Sequence, residues 1–292
     1  MSEKKYDSET LEGLQEILRM MLADFDKICE DNDIDYFLVG GSLLGAIRHN
    51  GMIPWDDDID IGMTGKDYDK FIQIMKKRES DKYTLISSET NKEFPYLRSA
   101  GFMLNGTKFI KDISIMDETS SSIVVDIIAF DNLADGKLKS ISQGLKTFFY
   151  GKSAFLTTLN NPTNHRKGIS KIVTTVMIKM LHGLFKLFKV TPHFFINKGN
   201  KIATKYNMLE TGRVMYMNES KPFLVTIKKK NLFPIKKIPF DGLMISVPNN
   251  PEQYLLERYG DYKTLPPESE QYNHFPDVLD FGEYKNLRRR EQ

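Results

Sequence analysis

The stretch "YFLVGGSLLGAIRHNGMIPWDDDIDIGM", Tyr36 to Met63, decides how the rest of the chain is read. It packs four aspartates into five residues (Asp56, Asp57, Asp58 and Asp60). It also holds the only tryptophan, Trp55, and two adjacent glycines that close an apolar run. An acidic cluster in a solvated loop needs no such neighbours. "DIDYFLVGG" reads as a short apolar strand ended by Gly40 and Gly41. "SLLGAIRH" reads as a short helix opening at Ser42, a favourable N-cap residue. "DIDIGM" alternates acid and apolar residues with a period of two, which puts Asp58 and Asp60 on one face of a strand.

Upstream, Leu11, Leu14, Leu18, Met21, Leu22, Phe25 and Ile28 recur every three or four residues, the stripe of an amphipathic helix. Cys29 lies on its apolar side and is read as core. Downstream, Thr64 and Asp67 have capping-box spacing ahead of a second stripe, Tyr68, Phe71, Ile72 and Met75. Strands are predicted over 83–87, 95–104 and 109–115, with Asn105-Gly106 as a hairpin turn. "SSIVVDIIAFD" is the strongest strand signal, and it carries Asp126 in its middle. Later come a strand-like run, "IPFDGLMISVP", a short helix ending near Gly260, and a polar tail from Pro266 that wraps the surface. This order predicts an α/β (α+β) fold with a mixed sheet core flanked by helices.

The net charge of +2 conceals a strong segregation. Gly136 to Leu209 contains no Asp or Glu and thirteen Lys or Arg, which leaves the remainder near −11. Such a segment expects an anionic partner. Within it, Lys171 to Val190 forms a wide apolar arc edged by Lys171, Lys179, Lys186 and Lys189, the pattern of a helix lying on an anionic membrane surface. The ordinary alternative is a helix docked on the protein's own core. Nucleic acid is not the expected partner, because the lysines are interleaved with aliphatic residues and not with arginine and exposed aromatics. A lone cysteine, no apolar leader in the first residues and no membrane-length apolar run predict a cytoplasmic chain, peripheral at the inner face of the membrane.

The candidate chemistry gathers around the opening stretch. Gly40 and Gly41 let a backbone approach a ligand closely, and the N-terminus that follows at Ser42 suits a phosphate. Arg48 could add a bidentate phosphate contact. Two carboxylates on one strand face repel each other, and a divalent cation removes that cost. Asp126 completes the set, since an aspartate in an apolar strand is costly to bury without a metal or hydrogen bonds. Each piece has a bland counterpart: a common turn for the glycines, a solvated loop for the acids, a capping or pairing role for Asp126. Their order along the chain carries the weight.

That order resembles the nucleotidyltransferase-fold superfamily, and "GGSLLGAIRHNGMIPWDDDIDIGM" (Gly40 to Met63) more narrowly resembles the LicD family of phosphotransferases. "VVDII" and "ERYGDYKTLPP" resemble further blocks of that family. Arg98 is the basic residue available where many relatives carry a lysine between Glu93 and Thr107. The resemblance implies transfer of phosphocholine, or of ribitol or glycerol phosphate, from a CDP-activated donor to a sugar hydroxyl of a lipid-linked glycan or teichoic acid precursor. It implies Mg²⁺ or Mn²⁺ held by Asp58, Asp60 and Asp126, with Gly40, Gly41, Ser42 and Arg48 on the donor phosphates. Trp55, Asp56 and Asp57 would order the loop or line the donor pocket, while His274 is read as structural before it is read as an acid–base group. The division expected is a catalytic core over 1–135, a largely helical basic insertion over 136–209, and a part over 210–292 that completes the catalytic domain. The competing readings are a nucleotidyltransferase that moves NMP, and a non-catalytic membrane- or polyanion-binding module.

Overall fold

The computed structural model describes residues 5–111, 122–159, 169–219 and 221–289. Helix α1 (Ser8–Asp31) is capped by Asp7, whose carboxylate accepts from the Thr10 amide at 2.8 Å. Its predicted stripe is buried from Leu14 onward, and Cys29 with it. The second predicted stripe lies on α3 (Gly65–Lys77), where the Thr64 hydroxyl accepts from the Asp67 amide and bonds the Asp67 carboxylate. Both helices cover one face of a central sheet: the Phe25 ring meets those of Phe71 and Phe102, at 5.1 and 5.8 Å.

The sheet runs β1 (Phe37–Leu38), β2 (Asp60–Thr64), β6 (Val124–Leu133), β4 (Ser99–Leu104), β3 (Tyr83–Ser87) in spatial order. The far half of β6 also pairs with β7 (Arg213–Tyr216), which pairs with β8 (Thr226–Lys228). β2 and β6 are parallel and the other pairs antiparallel, so the sheet is mixed as expected. β6 shows why one strand can hold both a core and a site. Val125, Ile127 and Ala129 are fully buried on the α1–α3 side, while Val124, Asp126 and Ile128 are only half-buried on the other.

Several local expectations change. Asn105-Gly106 does turn the chain, but β4 and β5 (Lys108–Ile110) do not pair as a hairpin. β4 is already held between β3 and β6, and β5 instead takes the tail strand β11 (Val278–Asp280). Residues 112–115 of the predicted 109–115 strand lie outside the described residues. "IPFDGLMISVP" is a hairpin, β9 (Lys236–Phe240) and β10 (Leu243–Val247), turned by Asp241 and Gly242, both at positive φ. The basic segment is helical: α4 (Lys137–Thr158), α5 (Ile169–Leu187) and α6 (Pro192–Ala203), with α4 packed closely on α6. Among the described residues no helix is long and apolar enough to cross a membrane.

Candidate active site

The glycine pair lies inside helix α2 (Gly40–His49), which starts two residues before the predicted Ser42. Val39 is its N-cap and has no side-chain acceptor to offer, while the Ser42 hydroxyl accepts from the Asp60 amide at 2.8 Å. That bond ties the start of α2 to the start of β2. Gly40 has φ of +57°, and a Cβ there would lie 2.7 Å from a carboxylate oxygen of Asp60. A Cβ on Gly41 would lie 2.9 Å from an oxygen of Asp56. Only glycine leaves room for these carboxylates against the helix N-terminus.

Asp60 is the first residue of β2, and Asp58 lies in the segment leading into it. The decisive neighbour comes from β6. Asp60 and Asp126 are register partners on adjacent parallel strands, side by side on the same face. Burial, then the charges of Asp58, Asp126 and Asp56, push the Asp60 carboxyl well above the usual carboxylate range. Burial pushes Asp126 to about 6 against the pull of Lys111, with Asp58 adding to the rise. Asp56 is raised to about 8 by burial and then by Asp58 and Asp57. Asp58 differs: burial pushes it up, but the hydrogen bond and charge of His274, with Lys111, outweigh burial and hold it low. Negative charge is therefore concentrated here beyond what its neighbours balance.

Asp60 and Asp126 lie in a cavity of about 610 Å³. Its floor is the sheet face opposite α1 and α3, with Gly101 of β4 directly beside Asp126. Phe94, Tyr96 and Phe155 form one aromatic wall, with the Tyr96 ring between the other two at 5.3 and 6.1 Å. Thr157 to Leu159, at and just beyond the end of α4, also line it, so the basic segment helps to build the cavity.

The other predicted residues serve the surroundings. Asp57 is fully buried and accepts from the Tyr6 hydroxyl at 2.9 Å and from the His274 amide at 2.8 and 2.9 Å. Trp55 packs against the core edge-on to His49 and does not line the cavity. Arg48, expected on the donor phosphate, is in the last turn of α2, where it bonds the Tyr262 carbonyl and the His49 ring. Arg98 is buried and structural: it bonds both oxygens of Asp131, Asp69 and the Gly65 carbonyl, so it cannot stand in for a donor-binding lysine.

Three residues come to the site that the sequence did not single out for these positions. Lys111 lines the cavity. Arg258, on α8 (Pro251–Tyr259), pairs with Glu219 at 3.0 Å, and its charge is felt at Asp60. Its Nε is buried without a hydrogen-bond partner among the described residues. His274 reaches Asp58 at 3.1 Å and Asp57 at 3.3 Å, and its hydrogen bonds to Asp57 and then Asp58 raise it to about 10. The tail therefore enters the site and does more than wrap the surface. Arg258 stands in a motif the sequence singled out, "ERYGDYKTLPP"; Lys111 and His274 have no local pattern to mark them.

Residues 33–155 match the family described as LicD/FKTN/FKRP, nucleotidyltransferase domain. The chain thus carries a LicD-family domain. The LicD match spans α2, β2 and β6 and includes Asp58, Asp60 and Asp126. Over 266 residues the chain is 27% identical to the lipopolysaccharide cholinephosphotransferase LicD of Haemophilus influenzae, covering 91% of this chain and 96% of that protein. It is 38% identical over 82 residues to the uncharacterized protein RP689 of Rickettsia prowazekii, 28% of this chain and 30% of that one. Over 53 residues it is 43% identical to the human ribitol 5-phosphate transferase FKRP, 18% of this chain and 10% of that protein.

A metal suits this LicD-family site on its donor chemistry. Asp57, Asp58 and His274 form a group whose ligand atoms lie within 4.8 Å of one another. Within it, Asp57 already accepts from the Tyr6 hydroxyl and the His274 amide. Asp60 and Asp126 offer a second pair of oxygen donors, side by side in the cavity and held above their usual range by burial and neighbouring negative charge.

Proposed function

We propose that this chain is a transferase moving a phospho-alcohol from a CDP-activated donor to a sugar hydroxyl of a cell-surface glycan or teichoic acid precursor. The observation that carries the reading is the pair Asp60 and Asp126, side by side on parallel strands in the floor of a large cavity. The names of the similar choline- and ribitol-phosphate transferases support it. Asp58, Asp60 and Asp126 would hold Mg²⁺ or Mn²⁺, which when bound lowers the charge of the donor diphosphate. The guanidinium of Arg258, whose Nε has no hydrogen-bond partner among the described residues, and the backbone at Gly41 would serve the phosphate oxygens.

The acceptor hydroxyl oxygen forms a bond to the phosphorus that carries the alcohol. The bond from that phosphorus to the bridging oxygen breaks, and CMP leaves with that oxygen. The hydroxyl proton passes to a carboxylate, which would be Asp126 if Asp58 and Asp60 alone hold the metal. The wall of Phe94, Tyr96 and Phe155 favours a quaternary ammonium over a polyol through cation–π attraction, so CDP-choline is the preferred donor of this reading. The acceptor would be lipid-linked, at the inner face of the cell membrane, with the Lys171–Val190 helix against anionic lipid.

Release of CMP from CDP-choline, CDP-ribitol and CDP-glycerol, with Mg²⁺ or Mn²⁺, tests the proposal. CMP release that is fastest from CDP-choline and lost in Asp58→Ala is the expected result. Pyrophosphate release from CTP without CMP release from any CDP-alcohol would make the chain a nucleotidyltransferase instead.

A further inference from the structure

Helix α4 is built inside out. Its buried residues are small or polar: Ser140, Gln143, Gly144, Thr147, Gly151, Ser153 and Ala154. Gln143 is fully engaged there, accepting from the Ala134 amide and donating to the Asn132 and Ala203 carbonyls at 3.0 to 3.1 Å. Its large apolar residues face outward. Leu138 is 84% exposed, Leu145 51% and Phe149 59%, and with Ile141 they fall within about 80° of one another around the helix. A helix that meets water on its outer face has the reverse pattern.

α5, packed against α4, carries an exposed apolar stripe of its own. Val176, Met177, Met180, Leu184 and Leu187 are exposed along one stripe, with Leu187 at 73%. α5 docks one edge on the protein, where Phe185 packs on Ala154 and Phe195, while this stripe stays exposed. Lys139 and Lys146 border the stripe of α4, and Lys179 and Lys186 border that of α5; all four are exposed. No acid occurs anywhere from Gly136 to Leu209.

We propose that α4 and α5 together form a docking surface for an anionic lipid bilayer. Apolar side chains of this size enter the acyl boundary, and lysines at the edge of the stripe reach the headgroups. The charge pattern commits the surface to an anionic occupant, and the absence of any complementary acid disfavours a second copy of the same face. The surface adjoins the catalytic cavity, because Phe155 and Thr157 at the end of α4 line that cavity. A second space of about 290 Å³, lined by Lys186 and Lys189, shares Glu93 and Thr157 with it. Docking would thus bring the cavity to the bilayer surface. The proposal deepens the membrane placement under the proposed function but rests physically on the exposed surface alone.

The test is co-flotation of the full chain with vesicles of phosphatidylcholine, alone or with about 30 mol% phosphatidylglycerol. Two variants accompany it: Leu138→Ser/Leu145→Ser/Phe149→Ser, and Lys139→Glu/Lys146→Glu. The native chain is expected to float with anionic vesicles. The apolar variant should lose affinity by about tenfold or more, and the charge variant should lose the preference for anionic lipid by a similar factor. Both should keep the native thermal midpoint and native CMP release from soluble donor, which separates failure of this proposal from failure of the catalytic one. Flotation unchanged in both variants, or absent for the native chain, overturns it. So does a native dimer that the apolar variant converts to monomer, which would make the surface a self-interface.

Discussion

Asp126 carries its chemistry in its surroundings. Its folded carboxyl, at about 6, binds a proton more tightly than the usual 3.8 of an unfolded chain. Protonation therefore favours folding below pH 4, and that contribution is lost as pH rises through 6. Asp126→Asn should raise the stability of metal-free protein at pH 8, by at most about 3 kcal/mol, with no gain at pH 4. Thermal unfolding across pH checks this; a gain that is the same at both pH values would refute the electrostatic origin. The same variant should abolish stabilisation by added Mg²⁺. Arg258 is the second residue whose role is set by its place. Arg258→Ala should lower kcat/KM for CMP release about 100-fold, and Arg258→Lys should recover little, because a point charge does not replace the planar fork. The motif at Gly40 to Asp60 could be recognised from spacing alone, since helix and strand periods fix which side chains share a face. Lys111 and His274 could not, because nothing within a few residues of either announces a partner.

At the scale of elements, the site depends on a clasp. The Asp57 carboxylate joins the N-terminal Tyr6 and the tail at His274 to the loop before β2. Asp57→Asn keeps one acceptor and turns an amide toward the His274 N–H. It should cost about 2 kcal/mol of stability and open the tail to limited proteolysis near 272–278. His274 titrates at about 10 in the fold, above its ordinary 6.5, so its contribution is complete below pH 6.5 and lost as pH rises through 10. Stability of the native chain should thus decline between pH 7 and 10, and more weakly in Asp57→Asn. The predicted hairpin at Asn105-Gly106 failed at this scale for a related reason. The turn residues are right, but β3 and β6 already occupy both edges of β4, and the tail strand takes β5.

Across the whole molecule, the basic segment is tied into the catalytic part. Leu97 packs with Ala154, Phe195 and Ile196, and Leu133 packs with Ala203, Met215 and Met217. Gln143 bonds the end of β6, and the Gly212 amide bonds Asp135, so the ends of the segment lie close together. Replacing 136–209 by a short linker is therefore feasible for the chain path. It should nonetheless abolish a cooperative thermal transition, because it uncovers Leu97 and Leu133. A shortened chain that melts at the native temperature would show the segment to be an independent appendage.

The sequence by itself determined the local elements, the glycine and aspartate motif, the acid-free segment and the family likeness. These depend on neighbours a few residues apart, where backbone period and composition suffice. Only the tertiary structure decided that Asp126 stands beside Asp60, that Arg98 is consumed by Asp131 and Asp69, and that His274 closes on Asp57 and Asp58. It also decided that α4 turns its apolar side outward. Strand register and helix orientation are set by contacts between distant segments, and no local pattern encodes which distant segment will arrive.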